Sequence, residues 1–271
     1  SIYSGTRAYP DAMRWLWRGW PAPVEAGKSM NGLLKTLLAE GEQWKEANPF
    51  NAAALGNTLA VLLSEPAQLH KISAKPGANQ LIRHNGADIA KYVKSPHRVL
   101  PLHNGDKYIS NTEGEIYLLK NGSKKPVKME TLPTSGAEIA LYPNGKLLIA
   151  SEKNWLISYL VLPDGSLQAG QQFYWLHNTD NHNQTQYGNI AFDTLGNLYI
   201  ATPIGIQVCD QNGRVRAILP LPGAGRSVEA IAFVGNKIYA RCGGKLFVRT
   251  FAHTGWNSWE APIDVKSQGQ G

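Results

Sequence analysis

The spacing of apolar positions changes character along the chain. Over 9–20, Met13, Leu16, Trp17 and Trp20 recur at intervals of three and four, which predicts a short amphipathic helix with Pro10 in its first turn and Gly19 and Pro21 at its end. Residues 30–39 predict a second short helix, and Pro21, Pro23 and Gly27 mark a linker between the two. From about residue 44 a different unit recurs: a short apolar strand, a turn carrying Asn-Gly or Gly-Asn, then a strand rich in β-branched and aromatic residues. Its turns are Gly56-Asn57, Asn104-Gly105, Asn144-Gly145, Gly196-Asn197 and Gly235-Asn236, with glycines 49, 40, 51 and 39 residues apart. Asn-Gly between apolar runs signals a β-hairpin, because a type I′ turn needs positive φ at both central residues.

A period of about 40–50 residues built only of strands predicts propeller blades. Later strands of the units are readable too, among them Trp155–Tyr159, Ile206–Cys209, Val215–Ile218 and Lys245–Arg249. Five units are evident, and a sixth would fall in the poorly patterned stretch 72–95. The expected fold is therefore all-β, a five- or six-bladed β-propeller with a short N-terminal helical segment. A sandwich of similar strands is the alternative, and the regular spacing argues against it. The expected organisation is 1–43 helical segment and linker, 44–256 propeller and 257–271 C-terminal tail.

Composition adds constraints. Of the 271 residues 43% are hydrophobic and 17% charged, enough for a core and too little charge for a disordered chain. No apolar run reaches the ~18 residues of a membrane-spanning helix, so no membrane partner is expected. The net charge of +7 would suit an acidic polymer if it clustered, but the basic residues are dispersed, which argues against nucleic acid. Cys209 and Cys242 lack metal-site spacing and read as two buried thiols, or as a disulfide between neighbouring strands. A chain that opens on Ser1 without a basic-then-apolar leader reads as a mature form or as a piece of a longer protein.

At the fourth unit, Gly188-Asn189-Ile190-Ala191-Phe192-Asp193-Thr194-Leu195-Gly196-Asn197-Leu198-Tyr199-Ile200-Ala201-Thr202, followed by Gly205–Asp210, resembles the regucalcin–gluconolactonase (senescence marker protein) family. So does Leu141–Ala150 with Pro163-Asp164-Gly165-Ser166-Leu167. The resemblance implies a six-bladed propeller with one divalent cation, calcium, at the channel mouth, hydrolysing sugar lactones or carbohydrate esters. Calcium takes oxygen ligands and would polarise the lactone carbonyl while a carboxylate acts on water. Carried over residue by residue, the family's Asp-Gly pair falls on Gly188-Asn189. Its middle-blade Asn falls on Ala137 beside Glu138, its first-blade Glu near Asn48, and an Asn-Asp pair on His97-Arg98. The metal site is thus expected to be altered. Candidate catalytic residues are Glu138, His97 and Glu229; candidate substrate-binding residues are Arg98, Asn189 and His177; candidate metal ligands are Glu138, Asn189 and Asn48. An Arg98–Glu138 ion pair that merely fills the channel is the structural alternative.

Tyr9–Trp17 resembles the closing segment of α/β-hydrolase esterases of the enterochelin-esterase type, while no Gly-x-Ser-x-Gly nucleophile elbow occurs. That resemblance implies an upstream esterase domain as a partner, and a secreted or periplasmic location for the whole. Two functions follow: a gluconolactonase-like hydrolase with an altered metal site, or a non-catalytic accessory or carbohydrate-binding propeller attached to an esterase.

Overall fold

The structure, a computed structural model, describes residues 37–38, 42–47, 83–84, 87–133, 136–152, 155–178, 187–222 and 227–265. All lie in the larger of the chain's two compact units, Leu33–Gly271. The expected helix over 9–20, Asn48 and the unit around Gly56–Val61 lie outside the described residues.

The strands in chain order are β1 (Lys45–Ala47), β2 (Arg83–His84), β3 (Ala87–Asp88), β4 (Pro96–Pro101), β5 (Lys107–Asn111), β6 (Glu115–Leu119), β7 (Val127–Thr131), β8 (Ile139–Leu141), β9 (Leu147–Glu152), β10 (Trp155–Val161), β11 (Leu167–Trp175), β12 (Ile190–Asp193), β13 (Leu198–Thr202), β14 (Gly205–Cys209), β15 (Val215–Leu219), β16 (Val228–Val234), β17 (Lys237–Cys242), β18 (Lys245–Thr250) and β19 (Gly255–Trp256). They form four antiparallel blades. Blade 1 is β4-β5-β6-β7, blade 2 is β8-β9-β10-β11, blade 3 is β12-β13-β14-β15, and blade 4 is β16-β17-β18 completed by β1 as its outermost strand. β2 and β3 form a separate two-stranded hairpin. The propeller is therefore confirmed, with four complete blades among the described residues rather than the expected five or six. Completing blade 4 with β1, the first strand of the described residues, pairs an N-terminal segment with the C-terminal blade.

Blades stack face to face, because each strand buries apolar residues towards the next blade. Ile116, Leu118, Ile139, Leu148 and Tyr159 join blade 1 to blade 2; Ile149, Leu156, Tyr174, Phe192 and Ile200 join blade 2 to blade 3. Between blades 3 and 4 the rings of Tyr199, Phe233 and Phe251 meet edge to face at centroid distances of 5.0, 5.8 and 6.0 Å, the geometry the ring quadrupole favours.

The turns occur where expected but not in the expected form. In Leu102–Asp106 the Gly105 N–H donates to the Leu102 carbonyl and the Leu102 N–H to that of Asp106. Gly105 has φ 85°, Asn104 does not reach positive φ, and the Asn104 Oδ1 accepts the Asp106 N–H at 3.0 Å. The turn around Asn144-Gly145 repeats this, with Gly145 at φ 73° and the Lys146 N–H bound to Asn144 Oδ1. These are longer loops in which Asn caps its own turn and only glycine occupies the left-handed region. Both central residues are at positive φ only in Gly243-Gly244 among the described turns.

β19 adds to the inner edge of β12, with Phe192 opposite Trp256 and Asp193 opposite Gly255. The following segment crosses the end of the channel where the innermost hairpins turn. Ser258 Oγ donates to the Pro101 carbonyl of blade 1 at 2.6 Å, and the Ile263 N–H to the Pro143 carbonyl of blade 2. Trp256 is buried, and its Nε1–H donates to the Ala261 carbonyl. Residues 254–263 thus stopper one mouth of the channel and bind all four blades.

Cys209 and Cys242 are both buried and are not joined in a disulfide, which settles the open alternative in favour of two thiols. Burial pushes the Cys209 thiol up to about 12. Neither thiol should therefore react with an aromatic disulfide reagent at pH 8 in native protein, and both should react in denaturant. Rapid native labelling of two thiols would contradict the packing. Among the described residues no helix is long and apolar enough to cross a membrane.

Candidate functional site

β4, β8, β12 and β16 are the innermost strands, and their first residues face the open mouth. Glu138, immediately before β8, is 3% exposed. Arg98 Nε donates to its Oε2 at 2.7 Å, Arg98 Nη2 lies 2.7 Å from the same oxygen, and His97 Nε2 is 3.0 Å from its Oε1. Since a carboxylate only accepts, the His97 proton in this contact is on Nε2. Burial alone would push the Glu138 carboxyl up; the Arg98 charge and the hydrogen bonds of His97 and Arg98 outweigh it and hold the group below its ordinary range.

Adjacent residues of a regular strand point to opposite faces, so His97 and Arg98 should not share a partner. The pairing of β4 with β5 shifts register between Pro96 and Arg98, placing His97 in a bulge. That extra residue re-aims His97 onto the side occupied by Arg98. Ser151 of β9 fixes the other end of the cluster: its Oγ accepts the Glu138 N–H at 2.9 Å, and its own N–H donates to the Glu138 carbonyl. Ser110 Oγ donates to the carbonyl of Ala137. Neither serine stands out in the sequence, because each becomes a partner only through register.

The remaining candidates do not join this cluster. Glu229 sits at a bulge in β16 and turns along its own blade, its Oε2 2.7 Å from Arg241 Nε and its Oε1 accepting the Gly243 N–H. The Asn189 side chain bridges blades: its Nδ2 donates to the Ile231 carbonyl at 2.6 Å and its Oδ1 accepts the Ile231 N–H at 2.7 Å. Both ends of the amide are spent on backbone, so Asn189 closes the blade 3–blade 4 seam instead of offering itself to a ligand. Asn189→Ala leaves an N–H and a carbonyl of β16 without these partners and is expected to cost about 2 kcal/mol in urea unfolding, with faster hydrogen exchange at Ile231. His177 exposes its side chain and is held by its backbone, whose N–H donates to Gln207 Oε1 and whose carbonyl accepts from Gln207 Nε2.

These residues do not fit the calcium ion that the resemblance implies. Both Glu138 oxygens face cations or imidazole, the Asn189 oxygen is taken by backbone, and Asn48 is outside the described residues. Among the described residues no group of three or more His, Cys, Asp or Glu could hold a metal. Gly188, where the resemblance would place a carboxylate, is sterically closed: a Cβ there would lie 2.3 Å from the Glu229 carbonyl oxygen and 2.7 Å from Ala201 Cβ. The channel behind Arg98 holds a cavity of about 90 Å³ walled by Asn189, Ile231, Trp256 and Trp259. That is well below the roughly 300 Å³ at which small-molecule sites begin.

A second feature lies at the same end of blade 2. Trp155, the first residue of β10, pairs with Trp175, the last of β11. The two rings meet edge to face at 3.9 Å, and Trp175 is 55% exposed, with Phe173 exposed beside it.

No protein-family model matches the chain, and no curated protein matches it. Solved structures do. The chain resembles a gluconolactonase of Xanthomonas campestris with a TM-score of 0.51 at 15% identity, over 66% of this chain and 63% of that one. It also resembles a protein provisionally named a gluconolactonase, with a TM-score of 0.61 at 11% identity, over 84% of this chain and 98% of that one. The chain thus spans less than two thirds of the first of these. At such identities the likeness shows the propeller fold.

Proposed function

We propose that this is a gluconolactonase-type propeller that binds carbohydrate without hydrolysing it, an accessory module for an esterase. The observation that carries the reading is the half-buried Trp155 packed on the exposed Trp175, with exposed Phe173 on the same strand β11. Nine residues long, β11 bears no charged side chain, and its exposed positions include Gln168, Gln171 and Gln172. Indole faces stack on the C–H faces of sugar rings, and amides exchange hydrogen bonds with hydroxyls. A nucleic-acid surface would instead be basic. The mouth supports the non-catalytic half of the reading: its carboxylate is saturated, the position of the family's ligand is closed at Gly188, and the channel cavity is too small for a sugar ring.

The test is affinity electrophoresis of the protein through gels containing soluble plant or microbial polysaccharides. Retardation by at least one of them, lost in Trp175→Ala, is the expected result. Unretarded migration in every gel, together with turnover of gluconolactone that needs calcium, would overturn the proposal.

A second reading, a lactone or carbohydrate-ester hydrolase without the family's cation, is favoured by the His97–Glu138 contact. A buried carboxylate that accepts a hydrogen bond from Nε2–H fixes the tautomer and leaves Nδ1 as a base for water. Turnover without added metal that disappears in His97→Gln would select this reading over the first.

A further inference from the structure

We propose that the stoppered end of blades 1 and 2 carries a binding site for a small carboxylic acid with an apolar body. This site is separate from the channel mouth and from the Trp155–Trp175 pair, both at the opposite end of the strands, and does not depend on the function proposed above. A cavity of about 460 Å³ opens between the β4–β5, β8–β9 and β10–β11 hairpins, with Ser258 and Pro262 of the crossing segment as its inner wall. Its volume falls within the roughly 300–1,000 Å³ of small-molecule sites.

The chemistry of the walls selects the ligand. Leu102, Leu160, Leu162, Pro163 and Pro262 make the body of the pocket apolar, and Leu160 is 42% exposed. Its one carboxylate, Asp106, is 5% exposed and already accepts from Lys120 Nζ at 2.8 Å, the Asn121 N–H at 2.7 Å and Asn104 Nδ2 at 3.0 Å. Lys120 also donates to the Asp164 carbonyl at 3.1 Å. Lys146, exposed on the β8–β9 hairpin, lines the cavity and has no side-chain hydrogen-bond or ion-pair partner among the described residues, and the same holds for His103.

Lys120 is met by Asp106 at 2.8 Å and lies in the field of Asp164 as well, which leaves Lys146 as the lining cation that one acid group on the ligand matches. Asn104 Oδ1 holds the Asp106 N–H, while the hydroxyl protons of Tyr108 and Ser258 go to the carbonyls of Gly165 and Pro101. The aliphatic walls give a polyhydroxylated sugar few hydrogen-bonding partners around its ring, whereas a single carboxylate needs only a donor such as Lys146. The apolar walls favour a ring or hydrocarbon body over a bare inorganic anion.

Titration of the ¹⁵N-labelled protein with phenylacetate tests the site. Saturable shifts are expected at the Leu102–Asp106 and Lys146 amides, with affinity falling about tenfold in Lys146→Met, the loss of one charged contact, and unchanged in Trp175→Ala. Lys146 is exposed, so Lys146→Met should fold. Methyl phenylacetate, which has the same body and no charge, should bind at least tenfold more weakly, and inorganic phosphate should not displace phenylacetate. Absence of saturable binding, equal binding of acid and ester, equal competition by phosphate, or an unchanged affinity in Lys146→Met would each overturn the proposal.

Discussion

Glu138→Ala is expected to destabilise the protein by about 3–5 kcal/mol, because it leaves the Arg98 guanidinium, its side chain only 15% exposed, without its counter-charge. The cost belongs to the orphaned cation more than to the lost pair. Replacing both partners with apolar residues of similar length should therefore recover most of it, and the double variant Arg98→Met with Glu138→Met should lie within about 1–2 kcal/mol of the parent. Denaturant unfolding of the three proteins measures this directly; a double variant as unstable as Glu138→Ala would show that the cluster matters through packing and not through charge. The pH dependence runs the same way. The folded carboxyl titrates below its ordinary value of 4.5, so the stabilisation is fully present above that value and is lost as pH falls through the lowered folded one. The parent should lose stability in this acid range more steeply than Arg98→Met with Glu138→Met, which has no such group.

The blades were legible because their signals are local. Asn104-Gly105, Asn144-Gly145, Gly196-Asn197 and Gly235-Asn236 each fall in the hairpin between the first two strands of a blade, so their spacing is the blade spacing. The turn type was not legible, since Asn-Gly suits both a two-residue turn and the longer loop in which Asn104 binds the Asp106 N–H. The strand-start positions were also readable: His97, Arg98, Glu138, Asn189 and Glu229 all stand at or just before innermost strands. Their side-chain directions were not. A one-residue bulge changes no composition, yet it turns His97 towards Glu138, and another lies at Glu229, which pairs within its own blade. The Asn189 amide found backbone from another blade, a partner that no pattern within one unit can show. The crossing segment 254–263 escaped for a related reason: it has no alternation, and only its seat against β12 gives Trp256 a role.

Gly188→Asp places a carboxylate where the resemblance to the regucalcin–gluconolactonase family would put one, and it is expected to fail as a calcium ligand. The obstacle is the Cβ and not the carboxylate. At 2.3 Å from the Glu229 carbonyl oxygen, any side chain must push β16 away from β12, although Asn189 clamps those strands together through Ile231. Moving backbone in a packed seam places this substitution among the severe ones, at more than about 4 kcal/mol. Gly188→Ala should lose nearly as much, because it adds the same atom, and that comparison separates steric closure from the charge of the new group. Binding of an ion to the native state alone would raise stability in proportion to the logarithm of its concentration. The melting temperature of Gly188→Asp should therefore stay the same from calcium-free buffer to millimolar calcium. A Gly188→Asp protein as stable as the parent, melting higher with each tenfold increase in calcium, would mean that the seam can open and that the altered mouth is one substitution away from a cation site. A destabilised, calcium-indifferent protein is the expected result: the packing of blade 3 against blade 4 has taken over the space that a metal ligand would need.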